Sequence, residues 1–147
     1  MKITLCASIA FYNEMLEVKN DLECLNHAVK LPPSEVKNEN GDMIPVKQFY
    51  SRRKAEKDDT SWIWDRRREA VRAHFKKVEW CDAVLILNYD KNDIANYIGP
   101  NTFLEMGLAF YLHKKIFLLN NIPQTNFKEE ILSMKPAIIN RDLTKIR

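Results

Sequence analysis

Ala83-Val84-Leu85-Ile86-Leu87 is a continuous apolar run that ends in the polar Asn88-Tyr89-Asp90. A run without polar alternation reads as a strand buried on both faces, the kind found in a parallel sheet covered by helices. Its carboxyl end delivers the chain into Asn96-Tyr97-Ile98-Gly99-Pro100-Asn101-Thr102-Phe103-Leu104-Glu105-Met106-Gly107-Leu108-Ala109. There Asn101 or Thr102 suits a helix cap, Glu105 falls in or just after the first turn, and Phe103, Met106 and Phe110 recur at helical spacing toward a core. Strand, polar loop and helix start together make a pocket wall that holds a carboxylate.

Outward from this centre the alternation of strand and helix repeats. Ile3 to Ile9 reads as a first strand, and to about His27 the residues Met15, Leu16, Val18, Leu22 and Leu25 mark an amphipathic helix. Ala28 to Leu31 is a short strand stopped by Pro32-Pro33. Trp62 to Trp80 is helical, with Trp64, Val71, Phe75 and Val78 on one stripe. Lys115 to Asn120 reads as a fourth strand, Phe127 to Met134 as a helical piece and Ala137 to Ile139 as the last strand. Ser34 to Thr60 carries Asn, Asp, Gly, Pro and many charges, with little periodicity outside Val46 to Tyr50, and is expected to be a variable, flexible excursion.

The chain therefore reads as one α/β domain over residues 1–147, a doubly wound parallel sheet of five strands in the order 2-1-3-4-5. In that order the first and third strands are neighbours whose connections leave toward opposite faces, and the crevice between their carboxyl ends is where such folds bind ligands. It is expected to be lined by Ser8 to Asn13 on one side and Asn88 to Glu105 on the other.

Composition narrows the function. At 147 residues and 46% hydrophobic content the chain suffices for one domain with a real core. No basic segment followed by an apolar stretch and a cleavage site opens it, and no apolar run approaches the roughly 20 residues a bilayer needs, so a cytoplasmic protein without membrane attachment is expected. The three cysteines, Cys6, Cys24 and Cys81, lack CxxC spacing and read as reduced thiols; the three histidines, His27, His74 and His113, form no HxxxH or HxH pair, which disfavours metal catalysis. A net charge of +3 is too mild to imply a nucleic acid polymer. Arg52-Arg53-Lys54 and Arg66-Arg67-Arg68 read either as solvated faces or, where the excursion folds over the crevice, as a clamp for a 5'-phosphate.

With three glycines in all, neither GxGxxG nor GxxxxGK[ST] occurs, and GxSxG is absent too, which disfavours dinucleotide, P-loop and serine hydrolase chemistry. What remains is Glu105 among Asn88, Tyr89, Asp90, Asn96, Tyr97, Asn101 and Thr102, with Ser8 and Tyr12 across the crevice. A carboxylate among amides and phenols suits cleavage of a glycosidic bond, in which it attacks or supports an oxocarbenium-like carbon while amides hold sugar hydroxyls. The plainer alternative is an acid that merely complements the helix dipole, a stabilisation of about 0.3–1 kcal/mol.

Leu5-Cys6-Ala7-Ser8-Ile9, the Cys81-Asp82-Ala83-Val84 turn into the third strand, Asn101-Thr102-Phe103-Leu104-Glu105-Met106-Gly107-Leu108-Ala109 and Lys114-Lys115-Ile116 together resemble the nucleoside 2-deoxyribosyltransferase superfamily, which includes 2'-deoxynucleoside 5'-monophosphate N-glycosidases. The resemblance implies a flavodoxin-like fold, Glu105 as the nucleophile toward the anomeric carbon, Ser8 in the sugar or phosphate pocket, Tyr12 as an active-site tyrosine, and a homodimer or larger homo-oligomer. The chain departs from the family pattern at Ala7, where a glycine is usual, at His74, where an acid contacts the base, and at Gly99, where transferases carry an acid and the monophosphate hydrolases a serine.

The expected function is cleavage or exchange of the N-glycosidic bond of a (deoxy)nucleoside or nucleoside 5'-monophosphate, with no metal or organic cofactor. Glu105 attacks, His74 or Asp90 assists departure of the base, and Ser8, Tyr12, Asn88, Asn96, Tyr97, Gly99 and Asn101 bind substrate. The alternative for His74 is a core-edge histidine bonded to backbone. The alternative for the whole chain is a ligand-binding or sensing module that has kept the pocket and lost turnover.

Overall fold

A computed structural model describes residues 1–147. The elements run β1 (Lys2–Cys6), α1 (Tyr12–Cys24), β2 (Ala28–Lys30), β3 (Glu35–Lys37), β4 (Met43–Pro45), α2 (Val46–Ala55), α3 (Trp62–Trp80), β5 (Ala83–Ile86), α4 (Pro100–Tyr111), β6 (Lys115–Leu118), α5 (Lys128–Ser133) and β7 (Ala137–Ile138). The main sheet has the order β2-β1-β5-β6-β7, and every pairing in it is parallel. Counting main-sheet strands alone, this is 2-1-3-4-5, a flavodoxin-like α/β fold. No helix is long and apolar enough to cross a membrane.

Alternation along the central strands divides the core. Ile3 and Leu5 of β1, with Ala83, Leu85 and Leu87, pack on Met15, Val18 and Leu22 of α1. The opposite set, Cys6 with Val84 and Ile86, packs on Val78 of α3 and Met106 and Ala109 of α4. Side chains two apart on a strand share a face, so the pleat that sends Leu5 toward α1 turns Cys6 toward α3 and α4.

The excursion is regular structure. β3 and β4 form an antiparallel hairpin with Val36 opposite Ile44, and α2 follows directly. A small apolar cluster of Ile44, Phe49 and Ile63 joins the hairpin and α2 to the start of α3. Strands of three residues with one inward side chain each, Val36 half-buried and Ile44 buried, give too little alternation to be read in advance.

Local boundaries also differ from the sequence reading. β1 stops at Cys6, because the Ser8 side chain accepts from the Ala10 amide and opens a short 3-10 turn, Ile9–Phe11. The cap of α4 is Gly99, with Pro100 in the first helical position, where its missing N–H is no loss; neither Asn101 nor Thr102 caps it. Glu105 consequently lies in the second turn. Phe110, expected to face the core, is 53% exposed, while Met106 is fully buried.

Candidate active site

The parallel register places Cys6 of β1 beside Ile86 of β5, so the two strands end together and their following loops diverge. A cavity of about 340 Å³ opens at this point. Ser8 and Ile9 beyond β1, Tyr97, Gly99, Asn101, Thr102 and Glu105 from the approach to α4 and its first turns, and Arg67, Ala70 and His74 from α3 line its base. Pro32, Pro33, Val36, Val46, Phe49, Tyr50, Arg53 and Lys54 roof it, so the excursion covers the crevice. The size lies within the range of small-molecule sites.

Glu105 is 4% exposed. Asn101, one turn earlier on α4, donates from Nδ2 to its Oε1 at 2.6 Å. Its Oε2 lies 3.7 Å from His74 Nε2, and the same imidazole nitrogen is 3.6 Å from Cys6 Sγ. Burial pushes the Glu105 carboxyl up to about 8, against the opposing influence of Cys6, the Arg67 charge and Asn101. Burial and then the Lys77 charge hold the His74 imidazole down to about 4. At neutral pH the free protein therefore carries a protonated Glu105 beside a neutral His74, and their approach is a contact between uncharged groups rather than an ion pair. Burial and the nearby Glu105 also push the Cys6 thiol well above its usual value.

A second set of groups faces the same space. Lys91, in the loop after β5, donates to Ser8 Oγ at 2.7 Å and to the Tyr50 hydroxyl at 2.9 Å. Burial works to raise the Tyr50 phenol, but Lys91 and then Lys54 outweigh it and bring it below its usual value. Arg67 is brought down to about 10 by burial and by the neighbouring Arg53 charge. Two arginines, a lysine and a serine around one cavity make a setting for an anionic group.

Of the residues expected to form the site, Glu105, His74, Ser8, Tyr97, Gly99 and Asn101 meet at the cavity. A Cβ on Gly99 would sit 3.2 Å from the Tyr97 ring, so the glycine admits that ring. Four lie elsewhere. Tyr12 is 9% exposed within the α1 core and gives its hydroxyl to the Pro32 carbonyl at 3.3 Å. Asn88 ties two strand ends together: its Nδ2 donates to the Asn120 and Asn121 carbonyls, and its Oδ1 accepts from the Asn120 amide. Asp90 is exposed and accepts from the Asn96 amide at 2.9 Å, which shapes the loop that both residues share. Asn96 adopts a positive φ of 57° in that loop. Sequence reasoning did not place Tyr50 or Cys6 at the site, and did not single out Lys91 within the expected Asn88 to Glu105 wall. Strand alternation at Cys6 was the one available signal, since Leu5 was an evident core residue.

The likeness to known proteins is one of fold. No protein-family model matches the chain, and no curated protein matches it in sequence. Among solved structures, the CMP N-glycosidase BcmB of Clostridium botulinum is similar with a TM-score of 0.52 and 14% identity, over 99% of this chain and 98% of that one. A 2-deoxyribosyltransferase of Bacillus psychrosaccharolyticus aligns with a TM-score of 0.49 and 16% identity, over 80% of this chain and 71% of that one. At 14% identity the likeness to the CMP N-glycosidase is one of fold alone, and that fold is the one expected from the motifs.

Proposed function

We propose that this protein cleaves or exchanges the N-glycosidic bond of a (deoxy)nucleoside or nucleoside 5'-monophosphate. The observation that carries the reading is Glu105: a buried carboxyl oriented by Asn101 at the base of a cavity whose roof and walls bear Arg53, Arg67 and Lys91. The fold it shares with a protein named as a CMP N-glycosidase supports the same reading. Ionised Glu105 attacks the anomeric carbon, the bond from that carbon to the base nitrogen breaks, and its electron pair leaves with the base. Water or a second base then takes the sugar from Glu105. His74, neutral near pH 7, holds the carboxylate or the base and does not supply the proton. Tyr50, whose phenol is loosened by Lys91, is the donor to the departing base, and Arg67 with Arg53 and Ser8 holds the 5'-phosphate.

A second reading draws on one observation. Glu105 keeps its proton at neutral pH in the free protein, which suits a binding module that no longer turns its ligand over.

The test incubates wild type and Glu105→Ala with nucleosides and 5'-monophosphates in both sugar series, with and without a second free base, and measures released base by chromatography. Release by wild type alone supports the glycosidic reading, and its dependence on acceptor base separates transfer from hydrolysis. No release from any substrate, with a raised melting temperature for some, overturns it in favour of the binding module.

A further inference from the structure

Cys6, His74 and Glu105 are far apart in sequence, yet their potential ligand atoms all lie within 4.8 Å of one another. They come from the end of β1, the middle of α3 and the second turn of α4, three elements packed into one rigid core. We propose that these three side chains form a site for a zinc-class divalent cation, with the fourth coordination position facing the cavity. This goes beyond the glycosidic reading and does not depend on it.

Two of the three ligand separations are already close to those of a tetrahedral site, and the third, Cys6 to Glu105, lies within 4.8 Å and shortens on binding. Zinc bonds of about 2.3 Å to sulfur and about 2.0–2.2 Å to nitrogen or oxygen, at tetrahedral angles, place ligand atoms about 3.3–3.6 Å apart. Cys6 Sγ and His74 Nε2 are 3.6 Å apart, and His74 Nε2 and Glu105 Oε2 are 3.7 Å apart. Asn101 already occupies Oε1, so Oε2 is the carboxyl oxygen turned toward the other two ligands. A thiolate, an imidazole and a carboxylate suit zinc or cobalt rather than magnesium or calcium, which prefer oxygen alone. Glu105 and His74 line the cavity, which gives an ion its way in, while Cys6 lies behind them without exposure.

Two features set the affinity. Arg67 faces Glu105 and opposes a cation, but the ligand set supplies two negative charges once Cys6 and Glu105 have each released a proton to solvent on binding. His74 Nδ1 is buried without a well-formed hydrogen bond and the Leu5 backbone is the group that supports the imidazole, so the outer contact that usually orients a ligating ring is weak. The site is therefore expected to be weaker than a structural zinc centre.

The experiment titrates chelator-treated protein with cobalt chloride and then displaces the cobalt with zinc chloride. The expected result is one equivalent of cobalt, with a thiolate-to-cobalt charge-transfer band in the near ultraviolet and tetrahedral bands in the visible, both lost as zinc is added. Cys6→Ser abolishes the charge-transfer band, and His74→Gln weakens cobalt binding at least about tenfold. Cys24→Ser and Cys81→Ser leave both unchanged. Should Cys6→Ser fail to fold by circular dichroism, His74→Gln reads the same site. A folded wild type without the band, or a band that follows Cys24 or Cys81, overturns the proposal. Both readouts are binding, so they stand apart from any assay of base release.

Discussion

Replacing Glu105 by Gln removes a titrating group while keeping the side chain's shape, and the difference between the two proteins should change with pH in a defined way. The buried carboxyl is raised from 4.5 to about 8, so between those values the folded protein binds a proton that the unfolded chain has released. Stability from this group is fully present below about pH 4.5 and is lost as pH rises through about 8. From pH 6.5 to pH 9 the integrated loss is about 2 kcal/mol in wild type and zero in Glu105→Gln. His74, with a folded value of about 4 against 6.5 unfolded, contributes only about 0.4 kcal/mol at the lower edge of this window, with opposite sign and in both proteins. Cys6, raised by burial and then by Glu105, also loses stability at the alkaline end; the part due to burial cancels in the difference, and the part due to Glu105 adds to it with the same sign. Urea denaturation of both in metal-free buffer at the two pH values reads the effect directly; by thermal melts it is a relative shift of about 4–8 °C for a chain of this size. A stability difference between the variants that moves by less than about 0.5 kcal/mol would refute the buried, protonated Glu105, and with it the account of the site's resting state.

Three further outcomes follow from the same geometry. On the glycosidic reading, kcat/KM should rise about tenfold per pH unit below about 8 and level above it, as the ionised Glu105 population grows; a profile flat from pH 6 to 8 would contradict this. Tyr50→Phe should lower kcat about 100-fold or more on a base that departs only when protonated, and much less on an aryl leaving group that needs no proton, whereas a purely structural Tyr50 would lower both alike. Arg67→Met should raise KM for a 5'-monophosphate about 10–100-fold, the loss of one charge-assisted contact, while KM for the matching nucleoside changes little.

How much of this the sequence carried depended on how many residues each signal spanned. Ala83 to Leu87 announced a central strand because both of its faces are buried, and Trp62–Trp80 announced a long helix because nineteen residues hold their register. β3 and β4, with three residues each, span barely one alternation, so the roof of the cavity was invisible until it was folded. Glu105 and His74 were legible because each borders an apolar stripe aimed at the sheet. Tyr12 was misplaced although Tyr12, Met15, Val18 and Leu22 step along one helical face, a pattern that speaks for core more strongly than a phenol speaks for catalysis. Asn88 sat at the expected strand end, but its amide is spent joining β5 to the chain beyond β6. Arg53 and Arg67 read equally as solvated cations, because their meeting at one cavity depends on Phe49 of α2 packing on Ile63 and Trp62 at the start of α3, a contact that no local pattern encodes.

The roof over the cavity meets the rest of the protein through few side chains, Ile44 and Phe49 against Ile63 and Val46 in the core shared with α1. Selectivity in this molecule is thereby separable from its architecture. A graft across residues 34–60 that preserves Ile44, Val46 and Phe49 would leave the five-stranded sheet and Glu105 in place while changing which molecules fit beneath it. Variation in such a cassette is a route by which one scaffold acquires new ligands without risking its fold.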